Sequence, residues 1–216
     1  IDPVTRVPGR SNVRTSRAQD FGKGMLFVGN QDRSIAALNA KTGAVVWTAQ
    51  QASYGTFGEV SRQASTPQTV FFDDGKDGIV VAYGNGGDAP LRGFVDGYNA
   101  KTGKLIWRTW NTPDPTQQPF ILTWGDPSNA AFGGSTVWSP VAIDPELGLL
   151  YFGTGSPSPQ LEDRSRPGDN LYTSSLVALE IATGKLRWYY QQVPHDLWGY
   201  EVSCPAVLFD LPYQGR

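Results

Sequence analysis

The chain has little material for nucleophilic or metal-cluster chemistry, because it contains one histidine, His195, and one cysteine, Cys204. A single cysteine excludes an intrachain disulfide and a cysteine-based metal cluster. A Ser-His-Asp or Cys-His catalytic group would have to be built around His195 alone. The glycine-rich stretch 84–87 follows an expected strand without opening a helix, so it is a weak match to a phosphate-binding loop. Serine proteases, zinc hydrolases and thioredoxin-like enzymes are therefore poor candidates.

Composition and charge exclude further classes of protein. The 216 residues include 18 Lys and Arg against 20 Asp and Glu, which gives a net charge of −2. This balance argues against a basic nucleic-acid-binding surface and against a polybasic membrane patch. With 39% apolar residues the chain is too hydrophobic to be disordered, and no apolar run is long enough to span a membrane. The chain begins at Ile1 rather than methionine, which indicates either a removed leader or a piece of a longer chain.

Short apolar and aromatic runs, separated by Gly, Asp, Asn and Pro, recur along the whole chain. They are rich in β-branched and aromatic residues, which favours strands. No long window shows a helical period without Gly or Pro. The expected strands are 25–28, 35–38, 45–47, 70–72, 79–83, 93–98, 105–107, 137–143, 149–152, 176–179, 186–190 and 206–209. This pattern predicts an all-β fold.

An 11-residue pattern ending in Thr-Gly-x-x-x-Trp organises these strands. It occurs at 37–47, 97–107 and 178–188, with a degenerate relative at 142–151. We interpret each copy as a strand, a tight turn and a second strand. The turn glycine supplies positive φ, the polar residue four positions earlier hydrogen-bonds the turn backbone, and the tryptophan packs against a neighbouring repeat. The glycines are Gly43, Gly103 and Gly184, the polar residues are Asn39, Asn99 and Glu180, and the tryptophans are Trp47, Trp107 and Trp188.

Units of about four antiparallel strands that pack only on their neighbours predict a β-propeller. Twelve strands make three blades and the start of a fourth. Because such an assembly would leave open sheet edges, we expect residues 1–216 to form a single partial propeller domain of three to four blades. The ring would be completed by further sequence or by a second chain.

The repeat, written Ala-x-(Asp/Asn)-x-x-Thr-Gly-x-x-x-Trp, resembles the tryptophan-docking motif of the quinoprotein alcohol dehydrogenases. These are eight-bladed propellers that hold pyrroloquinoline quinone (PQQ) and a calcium or lanthanide ion in a central funnel. The resemblance covers about residues 14–209 and implies the N-terminal half of such a propeller. Its most specific part is 138–201, which includes Tyr-Phe-Gly-Thr-Gly-Ser-Pro-Ser-Pro and Pro-His-Asp-Leu-Trp-Gly-Tyr.

The resemblance implies a set of cofactor contacts. Trp138 occupies the position of the tryptophan that stacks under the quinone, and Thr136 is expected on the same face of the same strand. Looser alignments give an arginine near the quinone carboxylates and a hydroxyl donor, and a closer match gives an amide at a position that often hydrogen-bonds the cofactor. These are Arg17, Ser65 or Thr66, and Asn85.

The implied metal ligands depart from the family pattern. Asp88 stands where the family usually has glutamate, and Ser156 stands where it usually has asparagine. Both still offer hard oxygen atoms, as Ca²⁺ requires, although each has a shorter reach. Leu197 occupies a position that is acidic in lanthanide-dependent members, so nothing supports a lanthanide.

The implied catalytic base is also missing, since Gly199 stands where the family has its aspartate. Glu201 lies two residues further on and would point to the same face if the strand continued, so it is the candidate substitute. We interpret His195 and Asp196 as turn-stabilising residues.

A second charged segment has a simpler interpretation. Asp163, Arg164 and Arg166 are expected on a solvated loop, while Asp169 and Asn170 are expected to bond the backbone of a structured turn.

Two functions remain open. The first is a PQQ-dependent alcohol dehydrogenase, or a fragment of one, that uses PQQ and Ca²⁺, is periplasmic or secreted, and passes electrons to a cytochrome or another acceptor. The second is a propeller that has lost its catalytic site and serves as a binding or assembly scaffold, as outer-membrane assembly propellers with similar repeats do. The tryptophan at position 138 favours the dehydrogenase. The residues Gly199, Ser156 and Asp88 favour the scaffold, because loss of a catalytic site would produce such departures from the family pattern.

Overall fold

The structure, a computed structural model, describes residues 19–30, 32–51, 67–84 and 91–210. These residues form three four-stranded antiparallel sheets in the orders β1-β2-β3-β4, β5-β6-β7-β8 and β9-β10-β11-β12. The strands are β1 Asp20–Gly22, β2 Met25–Gly29, β3 Ser34–Asn39, β4 Val45–Gln50, β5 Gln68–Phe72, β6 Ile79–Tyr83, β7 Phe94–Asn99, β8 Leu105–Trp110, β9 Ala142–Asp144, β10 Leu149–Gly153, β11 Ser175–Glu180 and β12 Leu186–Gln191. Each sheet is one blade of a partial β-propeller, so the expected all-β propeller fold is confirmed.

The third and fourth strands of every blade share one local design. Their pairing shifts register at the same repeat position, between Ala37 and Leu38 in blade 1 and between Gly97 and Tyr98 in blade 2. The turn glycines have φ near +70° as expected. The Asn39 and Asn99 side chains each accept hydrogen bonds from two backbone N–H groups of the turn. In blade 3 the Glu180 carboxylate instead accepts the Thr183 hydroxyl, because the side chain there is longer.

The repeat tryptophans join successive blades. Trp47 Nε1 donates to the Ala100 carbonyl at 2.8 Å, and Trp107 Nε1 donates to the Ile181 carbonyl at the same distance. Each indole lies on the turn of the next blade, where a Cβ on Gly103 would be 2.7 Å from the Trp47 ring. Trp188 belongs to the last described blade and remains 42% exposed.

The core lies between the blades. One buried cluster joins blade 2 to blade 3, with Val81 and Tyr83 on one side and Leu150 and Phe152 on the other. A second cluster joins blades 1 and 2. Apolar side chains on both faces of an inner strand explain why all five residues of β6 are buried.

Several expected strands differ from the structure. The run 137–143 is mostly irregular, and only Ala142–Asp144 forms a strand there. The run 206–209 is not a strand, because no neighbouring strand among the described residues pairs with it. The first blade is completed by β1, which the sequence did not reveal, since Asp and Gly are poor strand formers. The described residues thus make three complete blades, without the expected start of a fourth.

Two further features were unexpected. The degenerate copy at 142–151 forms the hairpin between the first two strands of blade 3, whereas the other copies join the third and fourth strands. Between blades 2 and 3 the chain forms two short 3-10 helices, Phe120–Trp124 and Pro127–Phe132. No helix in the described ranges is long and apolar enough to cross a membrane.

Candidate functional site

The candidate site lies at one end of blade 3. In an up-and-down sheet, the residues before the first strand and those after the second and fourth strands meet at the same end. Here these are the segment 134–138 before β9, the segment 154–160 after β10 and the segment 195–202 after β12. The topology therefore brings three of the sequence-predicted regions together.

Backbone hydrogen bonds hold the first two segments side by side. Gly155 N donates to the Thr136 carbonyl at 2.8 Å, and Ser135 N donates to the Ser156 carbonyl at 3.0 Å. Thr136 is only 4% exposed. The segment 134–138 is joined to its neighbours by isolated bridges at Gly134 and forms no strand. The expectation that Thr136 and Trp138 share one face of a strand was therefore wrong.

The third segment brings Glu201 onto Ser156. Ser156 Oγ donates to Glu201 Oε1 at 2.7 Å, and Ser156 N donates to the same oxygen at 3.2 Å. A Cβ on Gly155 would lie 3.3 Å from Thr136 Oγ1 and 3.6 Å from Glu201 Oε1, so the hydroxyl and the carboxylate flank one small space. Thr136, Ser156 and Glu201 are thus brought together.

The route by which Glu201 reaches this place differs from the expectation. Residues 199–201 form no strand, and both Gly199 and Glu201 have positive φ, at 71° and 55°. The argument from strand alternation was therefore wrong, because the chain here is a tight loop. A Cβ on Gly199 would collide with Gln160 Nε2 and lie 3.7 Å from Ser156 Oγ. The position of the family aspartate thus borders the same cluster.

Asp196 shapes this loop from inside. It is 1% exposed, and its carboxylate accepts backbone N–H groups of Trp198, Gly199 and Glu201 and the hydroxyl of Ser174, at 2.8 to 3.0 Å. Burial raises the pKa of the Asp196 carboxyl, but these hydrogen bonds outweigh burial and hold the pKa below its ordinary value. Asp196 therefore stabilises the turn, as the sequence suggested.

Arg166 was expected on a solvated loop, and this was wrong. It is fully buried. Its guanidinium is satisfied there, because it donates to the carbonyls of Pro159, Gln160 and Asp196 and to the Asn170 side chain. Burial lowers the pKa of Arg166. One guanidinium nitrogen, Nη2, donates to both the Gln160 carbonyl and the Asp196 carbonyl at 2.9 Å, so Arg166 links the second segment to the third. Its acceptors are scattered backbone carbonyls, and no sequence pattern would have revealed them.

Four other residues of this region have separate environments. Asp163 and Arg164 are exposed as expected. Asn170 is fully buried and bonds the backbone of Arg166. The ring of His195 bonds the Gly168 carbonyl through Nδ1 at 2.6 Å, which is a turn contact.

Trp138 is half-buried, and its indole N–H is buried without a hydrogen-bond partner among the described residues. Gln68, at the start of β5, donates through Nε2 to the Trp138 carbonyl at 3.2 Å. Its own Oε1 is likewise buried and unpartnered within the described ranges. Buried polar atoms are normally satisfied, so these two atoms beside the Trp138 segment have hydrogen-bonding capacity that the described residues do not use. Gln68 was not anticipated from the sequence.

The other predicted site residues lie outside the described residues. They are Arg17, Ser65, Thr66, Asn85 and Asp88. The described part of the chain contains no group of three or more His, Cys, Asp and Glu side chains able to hold a metal. Its oxygen donors at the site are the Ser156 hydroxyl and the Glu201 carboxylate, which suit a hard cation. The donor set and the unpartnered indole N–H fit a metal and an aromatic, polar cofactor.

A cavity of about 530 Å³ lies elsewhere, between β8 and blade 3, lined among others by Trp110, Tyr172 and Leu179. None of the predicted site residues that the structure describes lines it, so its size does not identify the site.

Comparison with known families agrees with the propeller fold. The family model "Glucose/ethanol/alcohol dehydrogenase, beta-propeller domain" matches residues 76–216. A second model, "Outer membrane protein assembly factor BamB", matches residues 10–121. The chain belongs to the PQQ-dependent alcohol dehydrogenase propeller family.

Individual relatives are similar over nearly the whole chain. Quinohemoprotein alcohol dehydrogenase ADH IIB of Pseudomonas putida is 38% identical over 225 residues, covering 94% of this chain and 31% of that protein. The crystal structure of quinohemoprotein alcohol dehydrogenase from Comamonas testosteroni superimposes with a TM-score of 0.77 and 33% identity, over 94% of this chain and 31% of that chain. A europium-containing methanol dehydrogenase also has a TM-score of 0.77, with 28% identity, over 94% of this chain and 36% of that one. The chain thus spans about a third of the length of these relatives.

Proposed function

We propose that residues 1–216 form a single partial propeller domain of a PQQ-dependent alcohol dehydrogenase, which oxidises an alcohol and passes the electrons to a cytochrome-type acceptor. The observation that carries this proposal is the convergence of Thr136, Ser156 and Glu201 at one end of blade 3, beside the Trp138 segment. The names of the relatives support the reaction class. The remaining blades come from further sequence or from a second chain.

The residues divide into those that bind and those that move a proton. Trp138 offers a flat apolar floor and an indole N–H donor, and Thr136 offers a hydroxyl. Ser156 and, by resemblance, Asp88 offer oxygen ligands to Ca²⁺, while Arg17, Ser65, Thr66 and Asn85 complete the cofactor contacts by resemblance. When bound, PQQ supplies the two-electron acceptor, and the metal supplies a Lewis acid that polarises its carbonyl.

Glu201 is the residue that takes the alcohol proton in this proposal. Its Oε1 is fixed by the hydroxyl and the backbone N–H of Ser156. Its Oε2 makes no hydrogen bond with the described residues and is the oxygen available to an alcohol hydroxyl. Gly199 cannot act, because it has no side chain.

The first test is a titration of the intact protein with PQQ and Ca²⁺, read by quinone absorbance and tryptophan fluorescence. We expect stoichiometric binding that Trp138→Ala abolishes. Trp188→Phe is the matched control, since Trp188 lies on the exposed outer strand β12 and its loss should leave binding unchanged. An absence of binding by the folded intact protein would contradict the dehydrogenase proposal.

A second test asks whether Glu201 is the base. In protein that binds the quinone, Glu201→Gln should lower kcat by roughly 10²- to 10⁴-fold, the usual contribution of a general base. Glu162→Gln is the control, because Glu162 lies on an exposed turn where it bonds Ser165. Unchanged turnover in Glu201→Gln would remove Glu201 from the mechanism.

The alternative function is a propeller without catalysis that acts as a binding or assembly scaffold. The match of residues 10–121 to the assembly factor model and the glycine at position 199 favour it. The same titration separates the two, since a scaffold requires no quinone binding. A periplasmic or secreted location is proposed for either function, by analogy with the family.

A further inference from the structure

Gln160 is the polar side chain at the site that neither the resemblance nor the proposed mechanism uses. It follows the Ser-Pro-Ser-Pro segment after β10 and is half-buried. Its Nε2 donates to Ser156 Oγ at 3.2 Å. The same serine oxygen donates to Glu201 Oε1, so the three side chains form a chain of hydrogen bonds running Gln160 to Ser156 to Glu201.

The direction of this chain is set by chemistry. A glutamine N–H can only donate, and a serine hydroxyl carries one proton and accepts on its lone pairs. When Ser156 Oγ accepts from Gln160, its single proton is directed to Glu201. The Glu201 carboxylate can only accept, so it takes the Ser156 proton, and Gln160 donates to a lone pair of the same serine oxygen.

The amide of Gln160 also occupies a particular place. A Cβ built on Gly199 would collide with Gln160 Nε2, and the next atom it would meet is a Gln160 carbon at 3.3 Å. The space in front of residue 199 is therefore filled by Gln160. A side chain at 199 would require the Gln160 amide to move from its present place.

The backbone around Gln160 is fixed on both sides of this contact. The buried Arg166 guanidinium bonds the Gln160 carbonyl and the Asp196 carbonyl through one nitrogen. Asp196 in turn binds the backbone N–H of Gly199 and of Glu201. The two loops that carry Gln160 and Glu201 are thus held together by buried polar groups, so the arrangement is built into the fold.

We propose that Gln160 is a positioning residue that fills the volume of the absent side chain at position 199 and, through Ser156, holds the Glu201 carboxylate in place. The effect on turnover rests on the proposed function, whereas the shared volume and the hydrogen-bond chain do not.

The volume is tested in the protein without cofactor. Urea unfolding of the intact protein is measured for Gln160→Ala, Gly199→Ala and the double variant. We expect the double variant to lose less than the sum of the two single losses in unfolding midpoint, because Gly199→Ala has no amide to displace once Gln160 is truncated. Additive losses would overturn the shared volume.

The hydrogen-bond chain is tested with Gln160→Met, which keeps the length of the side chain and removes the donor. A cycle with Ser156→Ala should show that the two substitutions are coupled in unfolding midpoint, and Gln192→Met, at an exposed glutamine after β12, should show no coupling. Equal behaviour of the two glutamines would overturn the chain.

The positioning role is tested in quinone-loaded protein. Gln160→Met should lower kcat by roughly ten- to hundredfold, with KM nearly unchanged, since the carboxylate is misplaced but alcohol binding is not. Unchanged kcat would overturn the positioning role. If the wild-type protein binds no PQQ, the proposed function fails, and the two unfolding cycles still decide whether Gln160 holds Ser156 and fills the space at 199.

Discussion

Gly43 and Gly103 occupy the same position of two turns with the same sequence, Asn-Ala-Lys-Thr-Gly, and both have φ of +71°. They differ only in what lies above them. A Cβ on Gly43 would meet no atom of the described residues within 4 Å, whereas a Cβ on Gly103 would lie 2.7 Å from two atoms of the Trp47 indole. Alanine at either position pays the cost of left-handed backbone, about 1–2 kcal/mol. Only Gly103→Ala would also bring its new methyl group into steric conflict with the Trp47 indole, and overpacking of this kind costs about 1–3 kcal/mol.

We therefore expect Gly103→Ala to lower the free energy of unfolding by about 1–3 kcal/mol more than Gly43→Ala. The measurement is equilibrium urea unfolding of the intact protein, followed by circular dichroism so that altered tryptophans do not change the signal. Repeating both substitutions in a Trp47→Leu background should bring the two costs together, because the indole is then gone. A cost of Gly103→Ala that stays the same in the Trp47→Leu background would refute the view that the glycine is needed beneath the tryptophan.

Further predictions concern the buried polar groups. Arg166→Met should destabilise the protein by about 3–5 kcal/mol, because it leaves buried acceptors without their cation. Arg164→Met, on the exposed part of the same loop, should change stability by less than about 0.5 kcal/mol. Because the pKa of Asp196 is lower in the folded protein than in the unfolded chain, its stabilisation is present above the unfolded value, about 3.9, and is lost as the pH falls toward the folded value. Urea midpoints should therefore fall in acid less steeply for Asp196→Asn than for wild type. Arg108→Lys should cost about 1–3 kcal/mol in the same assay, since lysine cannot reproduce the paired bonds of Arg108 to the buried Asp96 carboxylate, and an unfolding midpoint equal to wild type would contradict this.

The blade architecture could be predicted from the sequence because its determinants are local. Asn99, Thr102 and Gly103 build their turn with contacts among neighbouring residues, and the same residues recur in blade 1. The strands that were misplaced depend on distant partners. The apolar run 137–143 favours a strand, but its first half bonds the Gln68 side chain, through the Trp138 carbonyl, and the Ser203 carbonyl, through the Ser139 hydroxyl, instead of a neighbouring strand.

The sequence predicts the site residues by two different arguments. Ser156 follows from its place in the family motif, whereas Glu201 follows from a strand alternation that the structure does not show. Their direct hydrogen bond depends on the loop conformation that Asp196 imposes. The sequence did not reveal the roles of Gln160 and Arg166, because each role depends on the hydrogen-bond partners of the side chain. Those partners are set by the conformations of three separate loops. Hydrogen bonds to backbone carbonyls leave no pattern in the side chains of the residues that accept them.

The last described blade offers a direct test of how this chain meets its surroundings. Trp47 and Trp107 each donate to a carbonyl of the following blade, whereas Trp188 is 42% exposed and packs only against Tyr151 among the described rings. If a further blade packs on β12, its turn should receive Trp188 as Ile181 and Gly184 receive Trp107. Trp188→Phe in the intact protein should then cost about as much stability as Trp107→Phe, because both would lose a buried indole hydrogen bond, worth about 1 kcal/mol, together with ring contact. Urea unfolding of the two variants decides the matter, since a tryptophan left exposed should tolerate phenylalanine with a change below about 0.5 kcal/mol. That neutral result would mean that blade 3 is not continued by a docking turn, and the partial ring would have to close in another way.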